Sequence, residues 1–189
     1  MTVHACSAQA QVVSPRASHA RSDYRCLFEE NFDYVWNSLR HLGVQARDLE
    51  DLAHDVFLRV HERFGDYDSA RPLRPWLFAF VFRVASDYRR LARHRVEVLG
   101  PVAEPADTCR AADEQLIVRE DRELARAVLQ AVELDRRAVF ILHDLDGVPI
   151  PEIAEALGIP TNTAYSRLRL ARKEFGEAAR RLRLARGDR

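Results

Sequence analysis

Apolar residues in this chain recur three and four apart over nearly its whole length, in runs of modest size separated by Gly and Pro. That spacing belongs to amphipathic α-helices, whose buried stripe repeats about every 3.6 residues. In the first run Phe28, Phe32, Val35, Trp36 and Leu39 share one face, and Gly43 follows as a stop. Asp48 then stands at an N-cap position, and Leu52, Ala53, Val56, Phe57, Val60 and Phe64 form the next stripe. Gly65-Asp66-Tyr67-Asp68 breaks it. A third helix is predicted from about Trp76 to Arg93, with Pro75 suited to its first turn. Seven glycines and eight prolines in 189 residues are too few for a loop-rich β fold. The expected class is all-α.

The stripes fall into two groups. Residues 23–96 form one helical block. Residues 113–187 form a second, with Leu124, Val128 and Val132 four apart, then a helix Asp135–Asp146 that turns Val139, Leu142 and Leu145 inward and stops at Gly147. Residues 97–112 hold Gly100, Pro101, Pro105 and no periodic stripe, and read as a flexible linker. Residues 1–22 are Ala, Ser, Gln, His and Val with scattered Arg, and read as a disordered extension. The expectation is two small helical domains on a tether, each marginally stable by itself.

Charge sharpens this organisation. The chain balances 29 basic against 29 acidic residues, which on its face argues against a nucleic-acid binder. The charges are segregated, however. Residues 48–68 carry seven acids and two bases, whereas residues 71–95 carry seven arginines and one acid. Residues 97–155 carry fourteen acids and six arginines, and residues 161–189 carry nine bases and three acids. Two blocks are thus as basic as a phosphate-gripping groove. Lys173 is the only lysine; arginine offers planar bidentate contacts to phosphate and guanine, although GC-rich coding bias produces the same preference.

The second basic block contains a helix-turn-helix pattern. A short helix with Ile153, Ala154 and Leu157 inward ends at Gly158, where glycine permits a left-handed turn. Ile159 can plug the angle between the helices and Thr161 can cap the next one. On that helix, at about 100° per residue, Ala164, Leu168, Ala171 and Phe175 form a buried stripe. Opposite lie Asn162, Ser166, Arg169 and Lys173, a polar and basic face of the kind that enters a major groove. Arg167 and Arg172 flank it, within reach of backbone phosphates.

With those residues in place, the chain resembles the extracytoplasmic-function (ECF) sigma factors of bacterial RNA polymerase over about residues 23–185. Glu152-Ile153-Ala154, Leu157-Gly158-Ile159-Pro160 and Ser166-Arg167-Leu168 with Ala171-Arg172 look like that family's region 4. Asp51-Leu52-Ala53-His54-Asp55-Val56-Phe57 looks like region 2.2, and Trp76-Leu77 with Asp87-Tyr88-Arg89-Arg90 looks like regions 2.3 and 2.4. The resemblance implies a sigma region 2 at 23–96 that binds core polymerase and the minus-ten element, and a sigma region 4 at 113–187 that reads the minus-thirty-five element. It implies partners as well: the β′ clamp helices, the β flap, promoter DNA and an anti-sigma factor. Polymerase would supply all the chemistry, so the chain itself is expected not to be an enzyme.

The resemblance assigns roles residue by residue. Asp51, Leu52, Asp55 and Val56 are expected to dock on polymerase. Tyr67 is expected to stack on a flipped base, with Arg74, Arg83, Arg90 and Arg93 along the minus-ten strand. Asn162, Tyr165, Ser166, Arg167, Arg169, Arg172 and Lys173 are expected at the minus-thirty-five element. Trp76 lies in an apolar run that favours core packing. Arg83 replaces a common Asn, Tyr165 a common Lys or Arg, and Leu170 a common basic residue, so the promoter sequence stays open.

Other classes fit less well. The longest apolar run, Trp76 to Phe82, is seven residues, against about 20 for a membrane span. Cys6, Cys26 and Cys109 are odd in number and far apart, which indicates neither a disulfide framework nor a zinc knuckle and points to a reducing cytoplasm. Asp51, His54 and Asp55 share a helix face, but no Glu-x-x-His occurs for a di-iron bundle; no metal or cofactor is expected. A helix-turn-helix regulator acting without polymerase would share the C-terminal half. It would need a ligand pocket or dimer helix in place of the acidic helix and aromatic loop.

Overall fold

The computed structural model describes residues 15–68, 70–99 and 113–186; Cys6, Cys109 and most of the expected linker lie outside them. Among the described residues every regular element is helical. The first block comprises α1 (Pro15–Leu42), α2 (Leu49–Arg63) and α3 (Leu73–Leu99), each packed on the other two. The second comprises α4 (Asp113–Gln130), α5 (Leu134–Phe140), α6 (Ile150–Leu157) and α7 (Thr161–Arg186). The chain continues from α5 through a π-helical turn, Ile141–Leu145.

The predicted stripes form the core. Val35, Leu39, Val56, Val60, Phe78 and Val81 are buried in the first block, and Val139, Leu142, Ile153, Ala164 and Ala171 in the second. Phe28, Phe32 and Phe57 meet with ring centroids 4.5 to 6.2 Å apart, and the Tyr24 hydroxyl donates to the Phe57 carbonyl at 2.7 Å. Gly43, Gly147 and Gly158 all adopt positive φ at the helix ends where the sequence predicts stops.

Several local expectations change. α1 begins at Pro15, so residues 15–22 are helical instead of belonging to a disordered extension. Proline is at home at a helix start because its missing N–H has no partner to lose. α3 starts three residues before Trp76 and runs to Leu99, taking residues 97–99 from the linker. Asp48 precedes α2 but does not cap it with its side chain; its carboxylate instead accepts from the Tyr88 hydroxyl at 2.7 Å. Burial and that bond push the Tyr88 phenol up to about 12. Leu145 is more than half exposed, because the π-helical turn shifts the face that follows Leu142.

The two blocks are packed together. α6 lies on α3, and α1 touches both α4 and α5, so one hydrophobic cluster runs through both halves. At the junction sits Arg137, only 1% exposed. Its guanidinium donates to the carbonyls of Gln130 and Val132, at 2.6 and 2.7 Å, and across the junction to Leu42 at 3.0 Å. Helix ends leave carbonyls without partners, and one buried fork here satisfies those of α4 and α1 together. Burial, then the nearby charge of Arg89, lowers the Arg137 guanidinium to about 10. The Tyr34 hydroxyl also crosses the junction to Asp146, at 2.8 Å.

Candidate nucleic-acid interface

α6 and α7 form the helix-turn-helix. Pro151 lies in the first turn of α6, and Gly158 ends that helix at φ +66°, its N–H directed to the carbonyls of Ala154 and Glu155. Ile159 packs against the core in the angle, as expected of a plug. Thr161 is the first residue of α7 and not its cap; the carbonyl of Pro160 takes the N–H groups of Thr163 and Ala164. The buried stripe Ala164, Leu168 and Ala171 is confirmed, with Phe175 stacked on Phe140 at 4.9 Å.

The outward side of α7 presents Asn162, Tyr165, Ser166, Arg169 and Lys173 to solvent. Arg167 and Arg172 stand apart from that set. Arg167 is bonded to Asp135 at 2.6 Å, and Arg172 grips Asp144 through two bonds of 2.9 and 2.6 Å. The hydrogen bond from Arg172 holds the Asp144 carboxyl below its ordinary range. The first pair ties α7 to α5 and the second ties it to the π-helical turn that follows α5, so these arginines fix the angle at which α7 is held. Arg136 does the same through Glu174.

The other basic surface belongs to the first block. The loop before α3 and the start of that helix form a cleft of about 650 Å³ with α2, and α6 lies across it. Trp76 is only half-buried; it lines this cleft with its ring between Tyr67 and Phe80, at centroid distances of 4.8 and 4.9 Å. Core packing explains part of that ring and leaves the rest facing the cleft. The Tyr67 hydroxyl is tied to the Arg71 carbonyl at 2.7 Å, which fixes the loop. Arg83 lines the cleft, and Arg90 and Arg93 follow exposed along α3. Arg74 points elsewhere, its guanidinium 5.3 Å from the Tyr34 ring centroid. Arg89, part of the string that resembles regions 2.3 and 2.4 but given no role there, is half-buried with its Nη1 lacking a hydrogen-bond partner.

On α2, Asp51 is exposed, Leu52 and Asp55 are partly so, and Asp55 pairs with Arg59 at 3.0 Å. Val56 is fully buried within the chain, so it has no side chain to offer a docking face; it belongs to the stripe that holds α2 on the bundle. Leu58, 63% exposed, takes its place on the acidic face. Helical arithmetic reaches it: seven residues beyond Asp51 is a return to within about 20°.

A two-part helical protein with a helix-turn-helix and a separate aromatic–arginine cleft is the class that the fold and these surfaces define. Residues 27–95 match the family described as Sigma-70 region 2, and residues 122–175 the family described as Sigma-70, region 4. The ECF RNA polymerase sigma factor SigL of Mycobacterium tuberculosis is 30% identical over 162 residues, covering 84% of this chain and 90% of SigL. The RNA polymerase sigma factor NccH of Alcaligenes xylosoxydans xylosoxydans is 29% identical over 140 residues, covering 72% and 75%. In solved structures, the fold is shared with the sigma factor RpoE of Bartonella quintana in complex with the anti-sigma factor NepR. The TM-score is 0.66 at 20% identity, over 84% of this chain and 97% of that one. The chain belongs to the ECF sigma factors, and directs promoter-specific transcription. The region 2 match separates it from a helix-turn-helix regulator acting without polymerase. Among the described residues no helix is long and apolar enough to cross a membrane.

Proposed function

We propose that this chain joins core RNA polymerase in the cytoplasm and reads a promoter at two places. Its region 2 takes the minus-ten strand in the cleft of Tyr67, Trp76 and Arg83, with Arg74, Arg90 and Arg93 tracking the backbone. Aromatic faces stack on unpaired bases and guanidinium groups clamp phosphates. Its region 4 reads the minus-thirty-five element through Asn162, Tyr165, Ser166, Arg169 and Lys173, while Arg167 and Arg172 hold α7 at its angle. Asp51, Leu52, Asp55 and Leu58 form the dock for the β′ clamp helices, and region 4 meets the β flap. An exposed leucine inside an acidic rim suits a partner surface with an apolar centre and basic edge. Polymerase supplies the chemistry, and this chain acts by binding.

One observation carries the reading: α7 exposes a polar, basic face directly behind a fully buried stripe, in a chain that also builds the aromatic–arginine cleft. The relative from Bartonella quintana is held by an anti-sigma factor, which supports a regulator of that kind here. The test is reconstitution with core polymerase and genomic DNA fragments. New promoter-specific transcripts and co-migration with core are expected. A chain that neither co-migrates nor yields transcripts from any fragment refutes the reading.

A further inference from the structure

A second cavity, of about 830 Å³, lies where α1 meets α4, the π-helical turn and α7. None of its lining residues belongs to the surfaces assigned above to the β′ clamp or to DNA. Its apolar wall is Leu129, Phe140, Leu145 and Phe175. Leu129 and Phe140 are buried, and Phe175 stacks on Phe140, so most of this wall is a fixed part of the core. Leu145 differs. A regular helix would return it to the buried face three residues after Leu142. The π-helical turn leaves it 53% exposed at the cavity instead. Such turns sacrifice regular hydrogen bonding and recur at functional sites.

The charges on the rim are unevenly engaged. Asp144 and Asp146 both line the cavity, and both already have partners within the chain. Asp144 accepts two bonds from Arg172, and Asp146 accepts from the Tyr34 hydroxyl. Arg40 of α1 and Arg122 of α4 stand on the same rim, and neither pairs with a carboxylate among the described residues. Arg122 is exposed and Arg40 partly so. His41 adds no charge at neutral pH: burial lowers its imidazole, Asp146 raises it, and Arg126 and Arg40 lower it again. What the cavity offers a visitor is therefore an apolar wall under two uncommitted guanidinium groups. A guanidinium gives a carboxylate or sulfonate two parallel donors. A bare inorganic anion would leave the wall wet, and a neutral oil would leave the arginines unused. Concave sites of about 300–1,000 Å³ with this mixture of apolar lining and a few charges are where small organic ligands bind.

We propose that this cavity is a binding site for a small amphipathic organic anion, with Arg40 and Arg122 on its acidic group and Leu129, Phe140, Leu145 and Phe175 around its aromatic or alkyl body. One arginine comes from region 2 and the other from region 4, so the bound molecule touches both regions and stabilises their packing by mass action. The junction is then a place where a small molecule acts on the sigma factor without a protein intermediary.

The test uses the full chain and two fluorescent probes that share one body: anilinonaphthalenesulfonate, which carries an anion, and phenylnaphthylamine, which carries none. The anionic probe is expected to saturate one site per chain and to bind roughly tenfold tighter than the neutral one. Arg40→Gln with Arg122→Gln should bring it down to the neutral probe's affinity and leave the neutral probe unchanged. Leu145→Asp should weaken both. Leu184→Asp, which alters a leucine 76% exposed and outside the cavity, should weaken neither. Decanoate should displace the anionic probe, and inorganic phosphate at the same concentration should not. Circular dichroism confirms that each variant is folded. Unchanged binding of the anionic probe in the arginine pair or in Leu145→Asp overturns the proposal, as does displacement by phosphate. Sedimentation of the free chain settles the competing occupant: a dimer that Leu145→Asp splits would give the apolar wall to a second copy and overturn the proposal too.

Discussion

Gly43 is where one residue decides two things. Its φ of +94° ends α1, a conformation that L side chains rarely adopt. A Cβ there would also stand 3.0 Å from Arg137 Nη1, in the junction between the regions. Gly43→Ala should therefore strain the backbone and push the fork off the α1 carbonyls. A loss of about 1–3 kcal/mol is expected in urea unfolding, against near-neutrality for Gly65→Ala, whose Cβ meets open space at ordinary φ. The stop at Gly43 was legible in the sequence as a glycine after a periodic run. Its second role was not, because Arg137 binds backbone carbonyls, and every residue carries one. That Arg137 is buried was within reach. It sits about 60° from Leu134 and 40° from Ile141 on the face of α5 that also carries Ala138.

Periodicity foretold most elements because a helix-turn-helix is local: Gly158, the stripe on α7 and the polar face behind it all lie within thirty residues. What the pattern leaves undetermined is which of several outward arginines is free. Arg167, Arg169 and Arg172 look alike in the sequence, yet only Arg169 is without an acidic partner among their ion pairs, since Asp135 and Asp144 approach from a different helix. The two kinds should separate experimentally. Arg169→Ala should cost about 1–3 kcal/mol in promoter binding, concentrated at particular base pairs of the minus-thirty-five element. Arg172→Ala should lower thermal stability and weaken binding evenly across sequences, because the helix loses its aim and no base loses its reader. A base-specific loss for Arg172→Ala would return it to the reading face. On α2 the same limit applied to Val56 and Leu58: the acidic motif marks the helix, but only angle tells which apolar residue faces out.

At the scale of the molecule the charge blocks acquire a geometry. The acidic stretch that ends in α6 meets the basic stretch that begins α3, so a chain neutral in total neutralises part of its own nucleic-acid surface. This contact joins residues 84 positions apart, beyond what block arithmetic alone can assign. It also sets how binding responds to salt. DNA that meets a free arginine releases condensed counterions, and log K falls with log salt by about 0.7 for each phosphate neutralised on a single strand. Where Glu155 already holds Arg71, added salt loosens that pair while it weakens the DNA contact, and the two effects oppose each other. The wild-type chain should therefore show a salt slope for single-stranded DNA shallower than that of the Glu152→Gln, Glu155→Gln chain, by roughly 0.7 for each arginine so engaged. Anisotropy titrations from 50 to about 200 mM salt, the range over which such slopes are read, measure it directly. Parallel slopes would mean that Arg71 is equally available in both chains, and that α6 covers the cleft without competing for its charges.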